Sequence, residues 1–242
     1  MYQHFSSVYD QLMDDAPYDE WLSYTRDYFK PGASVLDLGC GTGTFTIELA
    51  KNGFQVQGAD ISLDMLTIAD EKARSANLQI PFVRQDMRML EGFQELDGVT
   101  IFCDGLNYLH GEDDVTQTFK RIFQALRSGG ELLFDVHSPY KMEEIFNNQM
   151  YGENGEDVSY IWFSEQGDAP LSVHHIMTFF KLNDAGTYDR FDEEHYQRTF
   201  GPDQYERMLR LSGFSDVVMT SAFGREDIKE ESDRIFFRAK KK

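Results

Sequence analysis

Three glycines stand at alternate positions, Gly39, Gly41 and Gly43, directly after the run Val35-Leu36-Asp37-Leu38. The short apolar run predicts a buried strand, and TFTIELAKN beyond the glycines predicts a helix capped by Gly53. A strand that enters a helix through glycine leaves backbone N–H groups open to a ligand, because no Cβ covers them. This is more backbone freedom than a turn needs. The chain is therefore expected to approach a bound molecule closely here.

The flanking sequence repeats the strand–helix rhythm. FQVQGAD, IPFVRQD, GVTIFCD and ELLFDVH read as four further strands. Ser62 caps a helix whose apolar stripe is Met65, Leu66, Ala69 and Ala73. Val115, Phe119, Ile122, Phe123 and Leu126 mark another helix, closed by Gly129–Gly130. Residues 5–29 read as helical with a break near 15–17, and Trp21, Tyr24 and Tyr28 share a face. Alternation at this spacing predicts an α/β fold with a parallel, doubly wound sheet. The rhythm changes over 138–200, where DVSYIWF, LSVHHIMTFFKL and TYDRFDEEHYQRTF predict an antiparallel meander with a hairpin loop at 183–186. A helix at PDQYERMLRLSGF, punctuated by Gly213, and two strands near 216–221 and 234–239 complete the chain. The expected organisation is a Rossmann-like domain over 1–137, completed by 201–242, with an antiparallel β cap inserted at 138–200.

Charge narrows the partners. Against 42 acidic side chains stand 23 basic ones, a net charge of −19, which repels phosphate backbones and argues against nucleic acid. Lys240, Lys241 and Lys242 are the local exception, read as a basic patch or as a solvated chain end. No run approaches the roughly 18 apolar residues of a membrane span. The N-terminal segment has no basic start or apolar core, so no leader is expected. Two isolated cysteines, Cys40 and Cys103, give neither a disulfide framework nor a zinc site, and His174 and His195 lack companions at ligand spacing. A cytoplasmic protein without a metal is expected.

The carboxylates around the glycines narrow the ligand. A dinucleotide loop reads G-x-G-x-x-G, and here the third glycine comes one residue early. Asp37, two residues before the loop, repels a pyrophosphate but can receive a cation or a hydroxyl. Asp60 ends the second strand, where a carboxylate can accept both hydroxyls of a ribose. Asp86 follows the third, where it can accept an adenine amino group. Each alone could be a helix cap or a solvated loop residue. Three at successive strand ends point to a nucleoside-like ligand without phosphates that carries a positive group.

VLDLGCGTG, with Asp60 and Asp86 at these offsets, resembles the class I S-adenosylmethionine-dependent methyltransferases. The pattern is similar to small bacterial members with a Tyr-Asp segment, here Val8-Tyr9-Asp10, and with D-x-L-N-Y-L after strand four, here Asp104 to Leu109. The cap, ending in EEHYQRTF, more weakly resembles that of the aminosugar N,N-dimethyltransferases. The resemblance implies seven strands with the last antiparallel, and S-adenosylmethionine as cofactor. It places Gly39, Cys40, Gly41 and Gly43 at the cofactor's amino-acid portion, faced by Asp37. It puts Asp60 at the ribose, Ile61 and Met65 near the adenine, and Asp86 at the adenine amino group with Met87 beside it. Cys103 falls under the sulfonium, and Tyr9 closes over the cofactor.

Methyl transfer from a sulfonium needs positioning and dryness more than acid–base chemistry. His137 at the top of strand five, Tyr108 with Asn107 after strand four, and His195 in the cap are the candidates for touching the acceptor. As a loop histidine, His137 could instead serve backbone groups. His174, His175, Arg190, Glu194, His195 and Arg198 form a polar set in the cap, lining a pocket with one face or forming a half-buried sheet. Tyr160, Trp162, Phe163, Phe179 and Phe180 could wall a pocket or enclose a methylammonium, or form the small core of the cap. The expected activity is transfer to nitrogen or oxygen of a small molecule, with a homodimer compatible with the aromatic cap edge. An RNA- or protein-modifying methyltransferase and a non-catalytic cofactor-binding protein are the alternatives. An NAD-dependent oxidoreductase is disfavoured by the early third glycine.

Overall fold

The computed structural model describes residues 5–242, and the first four residues of the segment read as leaderless lie outside them. Helices α1 (Ser6–Leu12) and α2 (Tyr18–Tyr28) precede a strand–helix alternation: β1 (Ser34–Leu38), α3 (Thr44–Lys51), β2 (Gln55–Asp60), α4 (Leu63–Ser75), β3 (Phe82–Arg84), β4 (Leu96–Ile101), α5 (Glu112–Ala125) and β5 (Leu126–His137). Four strands follow, β6 (Gln149–Asn154), β7 (Val158–Gln166), β8 (Ser172–Leu182) and β9 (Tyr188–Arg198). The chain closes with α6 (Pro202–Leu211), β10 (Ser215–Thr220) and β11 (Arg234–Lys240).

The main sheet has seven strands in the order β10-β11-β5-β4-β1-β2-β3. β11 runs antiparallel to both its neighbours, as expected for the last strand. Side chains alternate across a strand, so its neighbouring residues feed opposite layers. Phe134 and Phe237 enter one layer with Phe119 and Tyr205, and Leu133 and Phe236 enter the other with Trp21, Tyr24 and Phe102. Phe134 and Phe237 stack with ring centroids 4.6 Å apart and planes 1° from parallel. Helices thus cover both faces, and all loops at the carboxyl ends of β1, β2, β3 and β4 meet at one rim. Ser62 caps α4 by accepting from the Met65 N–H at 3.3 Å.

The second sheet is a four-stranded meander, β6-β7-β8-β9. Three strands were expected. The fourth, β6, is an edge strand exposed along nearly its whole length, so QMYGEN carries no apolar alternation to announce it. On β9 the Glu193, His195 and Gln197 face is buried, and Glu194 and Arg198 lie on the other. Leu126, read as helical, already belongs to β5, because α5 stops at Ala125. Two of the three C-terminal lysines are docked and Lys242 is exposed: Lys241 Nζ donates to the carbonyls of Phe123 at 2.7 Å and Leu126 at 2.5 Å, a cation at the C-terminal end of α5. Lys240 pairs with Glu131 at 3.3 Å.

Candidate functional site

A cavity of about 450 Å³ opens at the rim where the parallel strands end. Its floor is the glycine loop. Gly39 and Gly41 take φ of +77° and +54°, the left-handed region that favours glycine. A Cβ on Gly39 would meet Met87 Cε at 3.8 Å, and one on Gly41 would meet Tyr9 Cε1 at 3.9 Å, so the missing side chains leave a cradle between these two residues. Asp60, Ile61, Met65, Asp86, Met87 and Cys103 also line the cavity. Tyr9 of α1 closes one side, and Tyr108 and His195 close the side towards the cap.

Asp60 is the organising carboxylate. It accepts the Gly41 N–H at 2.9 Å and the Ser62 N–H at 2.8 Å, joining the loop to the start of α4. Burial raises its carboxyl above the ordinary range, and those N–H groups partly oppose the rise. Asp86 is held differently. Arg88 grips it through Nε at 3.0 Å and Nη2 at 2.5 Å, and the guanidinium hydrogen bonds lower its pKa. The same Arg88 reaches Asp114 on α5 at 3.5 Å. Sequence reading did not single out Arg88, although its place two residues after Asp86 was visible.

The end of β4 is bent sharply. Cys103 and Asp104 adopt φ of +53° and +52°, an uncommon conformation for residues with a Cβ. Asp135 holds the bend by accepting the Asp104 N–H at 2.8 Å. Arg234 bridges Asp104 at 2.8 Å and Asp135 at 2.5 Å, and the Trp21 indole donates to Asp135 at 2.6 Å. Burial pushes the Asp104 carboxyl up, but His137 and Arg234 outweigh it and hold Asp104 well below the usual range. Burial pushes the Cys103 thiol up to about 12, so it stays a thiol at neutral pH. None of Asp104, Asp135 or Arg234 was expected from the sequence to act together.

Five expected residues lie elsewhere. Asp37 is 3% exposed and accepts from Thr46 Oγ1 at 2.6 Å and Thr100 Oγ1 at 3.1 Å, beneath the loop and outside the cavity lining. Gly43 is a packing glycine: a Cβ there would fall 2.8 Å from that of Ala69 on α4. Cys40 turns its sulfur towards β2, where a Cβ on Gly58 would come within 3.0 Å of it. His137 is 4% exposed and faces Asp104, Nε2 to Oδ2 at 3.4 Å, with its ring edge-on to Phe146. Asn107, also expected near the acceptor, is fully buried. The structure brings the remaining eleven together: Tyr9, Gly39, Gly41, Asp60, Ile61, Met65, Asp86, Met87, Cys103, Tyr108 and His195 all line the cavity.

Burial pushes the Asp37 carboxyl up to about 6, opposed in part by the two threonine hydroxyls. In the unfolded chain this group loses its proton near pH 4, whereas the folded protein keeps it until about pH 6. The folded state therefore binds more protons between these values, and the stability it contributes falls as pH rises through that window. Asp37→Asn is expected to remove a slope worth about 2–3 kcal/mol. Urea unfolding at pH 4.5, 6 and 8 measures it; an unchanged slope in the variant would assign it to other groups.

The cavity suits a nucleoside bearing a positive group. Asp60 offers acceptor oxygens for a diol, the apolar Ile61 (52% exposed) and Met87 offer faces for a flat ring, and the glycine cradle admits a narrow polar chain. The carboxylates of Asp60, Asp86 and Asp114 at the same rim oppose a pyrophosphate. Among the described residues no group of three or more His, Cys, Asp or Glu side chains is arranged to hold a metal ion.

Comparison with known proteins agrees with this chemistry. Residues 35–130 match the family model described as a methyltransferase domain. A protein of Geobacillus sp. (strain WCH70), named as a methyltransferase, is 47% identical, with 99% of each chain covered. YqeM of Bacillus subtilis (strain 168), also named as a methyltransferase, is 46% identical over all of this chain and 97% of its own. The crystal structure of an S-adenosylmethionine-dependent methyltransferase from Clostridium acetobutylicum ATCC 824 superposes with a TM-score of 0.87 at 28% identity, covering 99% of this chain and 98% of that one.

Proposed function

The chain belongs to the S-adenosylmethionine-dependent methyltransferases, and from that premise we propose that it moves a methyl group to nitrogen or oxygen of a small molecule held beneath the cap. The observation that carries the reading is the roof: β9 of the cap and α1 close over the glycine loop, leaving a cavity of about 450 Å³. Such a volume suits a cofactor and a small acceptor better than a folded polymer. The net charge of −19 opposes an RNA acceptor.

When bound, the cofactor supplies a methyl already activated on a cationic sulfur, for in-line displacement. The chain's own task is to orient and to keep dry. Asp60 orients one end, and the glycine cradle lets the backbone approach. Tyr108 Oη and His195 Nδ1 meet at 3.2 Å on the cap side, where the acceptor's nucleophile would lie. Burial pushes the His195 imidazole down to about 4, so at neutral pH it is an uncharged, weakly basic ring that holds Tyr108 and does not repel a positively charged sulfur. His137 is too enclosed to touch the acceptor and serves instead beside Asp104.

Cytoplasmic location belongs to the same reading. It is supported by two free cysteines, and no helix of the described residues is long and apolar enough to cross a membrane. A second copy of the chain on the exposed Met150, Ile161 and Phe163 of the cap is part of it too, and a sedimentation mass of one chain would remove that element. The deciding experiment supplies labelled S-adenosylmethionine with a fractionated cell extract. Label in the small-molecule fraction, with release of S-adenosylhomocysteine, is expected. Label confined to RNA or protein would replace the proposal with the macromolecular alternative.

A further inference from the structure

The cap is an insertion, so two stems join it to the main sheet. The chain leaves β5 at His137 and returns from β9 at Arg198. The Asn107 side chain hydrogen-bonds the backbone of both stems. Asn107 Oδ1 accepts the His137 N–H at 2.9 Å, and Asn107 Nδ2 donates to the Arg198 carbonyl at 2.8 Å. The amide orientation is forced, because one stem offers only a donor and the other only an acceptor. Asn107 is 0% exposed, so neither bond is exchanged for water. Thr199 Oγ1 completes the closure by donating to the His137 carbonyl at 2.6 Å.

Asn107 also sits next to Tyr108, in the turn that follows the left-handed Cys103–Asp104 bend. Arg198 lies three residues after His195 on β9. The amide therefore ties the turn that carries Tyr108 to the strand that carries His195, and these two side chains meet across the cavity. A second tie runs parallel to it: Gln197 Nε2 donates to Asp104 Oδ2 at 2.7 Å.

We propose that Asn107 is a positioning residue that staples the cap's two stems to the β4 turn and so sets the spacing of Tyr108 and His195 on the acceptor side of the cavity. Its role for the acceptor rests on the methyltransferase reading, but the staple itself does not. Without it the cap would remain attached by chain connectivity, and its sheet would rock against the rim. Buried polar groups left unpaired favour local opening over the closed state.

Hydrogen–deuterium exchange on the full chain without cofactor tests the staple apart from any activity. Asn107→Asp keeps the oxygen for the His137 N–H but loses the donor to Arg198. In this variant, amides of β8 and β9 are expected to exchange at least about tenfold faster, while those of β1 and β4 stay within about threefold. Thr199→Val, which removes only the closing hydroxyl, is expected to give a smaller change confined to the same strands. A merely structural role would speed both sheets alike. Equal acceleration in the two sheets, or unchanged exchange in the cap, would overturn the proposal. If Asn107→Asp fails to fold, unchanged cap exchange in Thr199→Val overturns it as well. No methyl transfer by the wild type, together with selective loosening of the cap in Asn107→Asp, would count against the function and not the staple.

Discussion

Asp60→Ala is expected to weaken S-adenosylhomocysteine binding by about 100- to 1000-fold, measured by calorimetric titration. A hydrogen bond to a charged group contributes about 1.5–3 kcal/mol, and a carboxylate shared by two ribose hydroxyls makes two of them. The carboxylate also fixes the loop that forms the floor, since it accepts from Gly41 and Ser62. Loss of both functions acts in the same direction. Asp60→Asn keeps one acceptor oxygen, enough for the Gly41 N–H held on Oδ2 or the Ser62 N–H held on Oδ1 but not for both, so a weakening between that of Asp60→Ala and the wild type, nearer tenfold, is expected. Binding by Asp60→Ala within about threefold of the wild type would remove Asp60 from the cofactor site.

Arg234→Met is expected to cost about 3–5 kcal/mol of stability, the effect of leaving buried charge without its partner. Arg234 is the counter-ion of both Asp104 and Asp135, and Asp135 is fully buried. The remaining donors, Trp21 to Asp135 and Gln197 to Asp104, satisfy lone pairs without neutralising charge. Asp135, whose carboxylate holds the left-handed Cys103–Asp104 bend, loses its counter-ion at the same time. Arg234→Lys keeps a charge but lacks the fork needed to reach two carboxylates, so it should recover only part of the loss. Guanidinium unfolding measures both; a loss below about 1 kcal/mol in Arg234→Met would show the network to be dispensable.

Local pattern carried most of the fold. The strand–helix alternation, the Ser62 cap and the glycine loop are written within a few residues each, and all appear in the structure. The fourth cap strand was not legible, because exposure removes the alternation on which a strand is recognised. The Arg234, Asp104 and Asp135 network was illegible for another reason. Its members are 99 and 130 residues apart from Arg234, and only the antiparallel return of β11 beside β5 brings them together.

The site divides in the same way. Residues whose backbone meets the cavity, such as Gly39, Gly41 and Asp60, follow from their place at strand ends. Asp37 and Gly43 share those residue types and that loop but serve packing: one carboxylate is enclosed by Thr46 and Thr100, and one glycine admits the approach of Ala69. Sequence spacing alone does not separate a glycine that faces a ligand from one that faces a helix. His137 was placed correctly at the end of β5, but its direction depends on Asp104 and Phe146, which only the folded packing reveals.

The most direct test is a crystal structure of the protein with S-adenosylhomocysteine. The account predicts the ribose on Asp60, the adenine between Ile61 and Met87, the homocysteine chain over Gly39 and Gly41, and open space from the sulfur towards Tyr108 and His195. A ligand bound elsewhere, or a sulfur walled off from Tyr108 and His195, would contradict a small acceptor held beneath the cap.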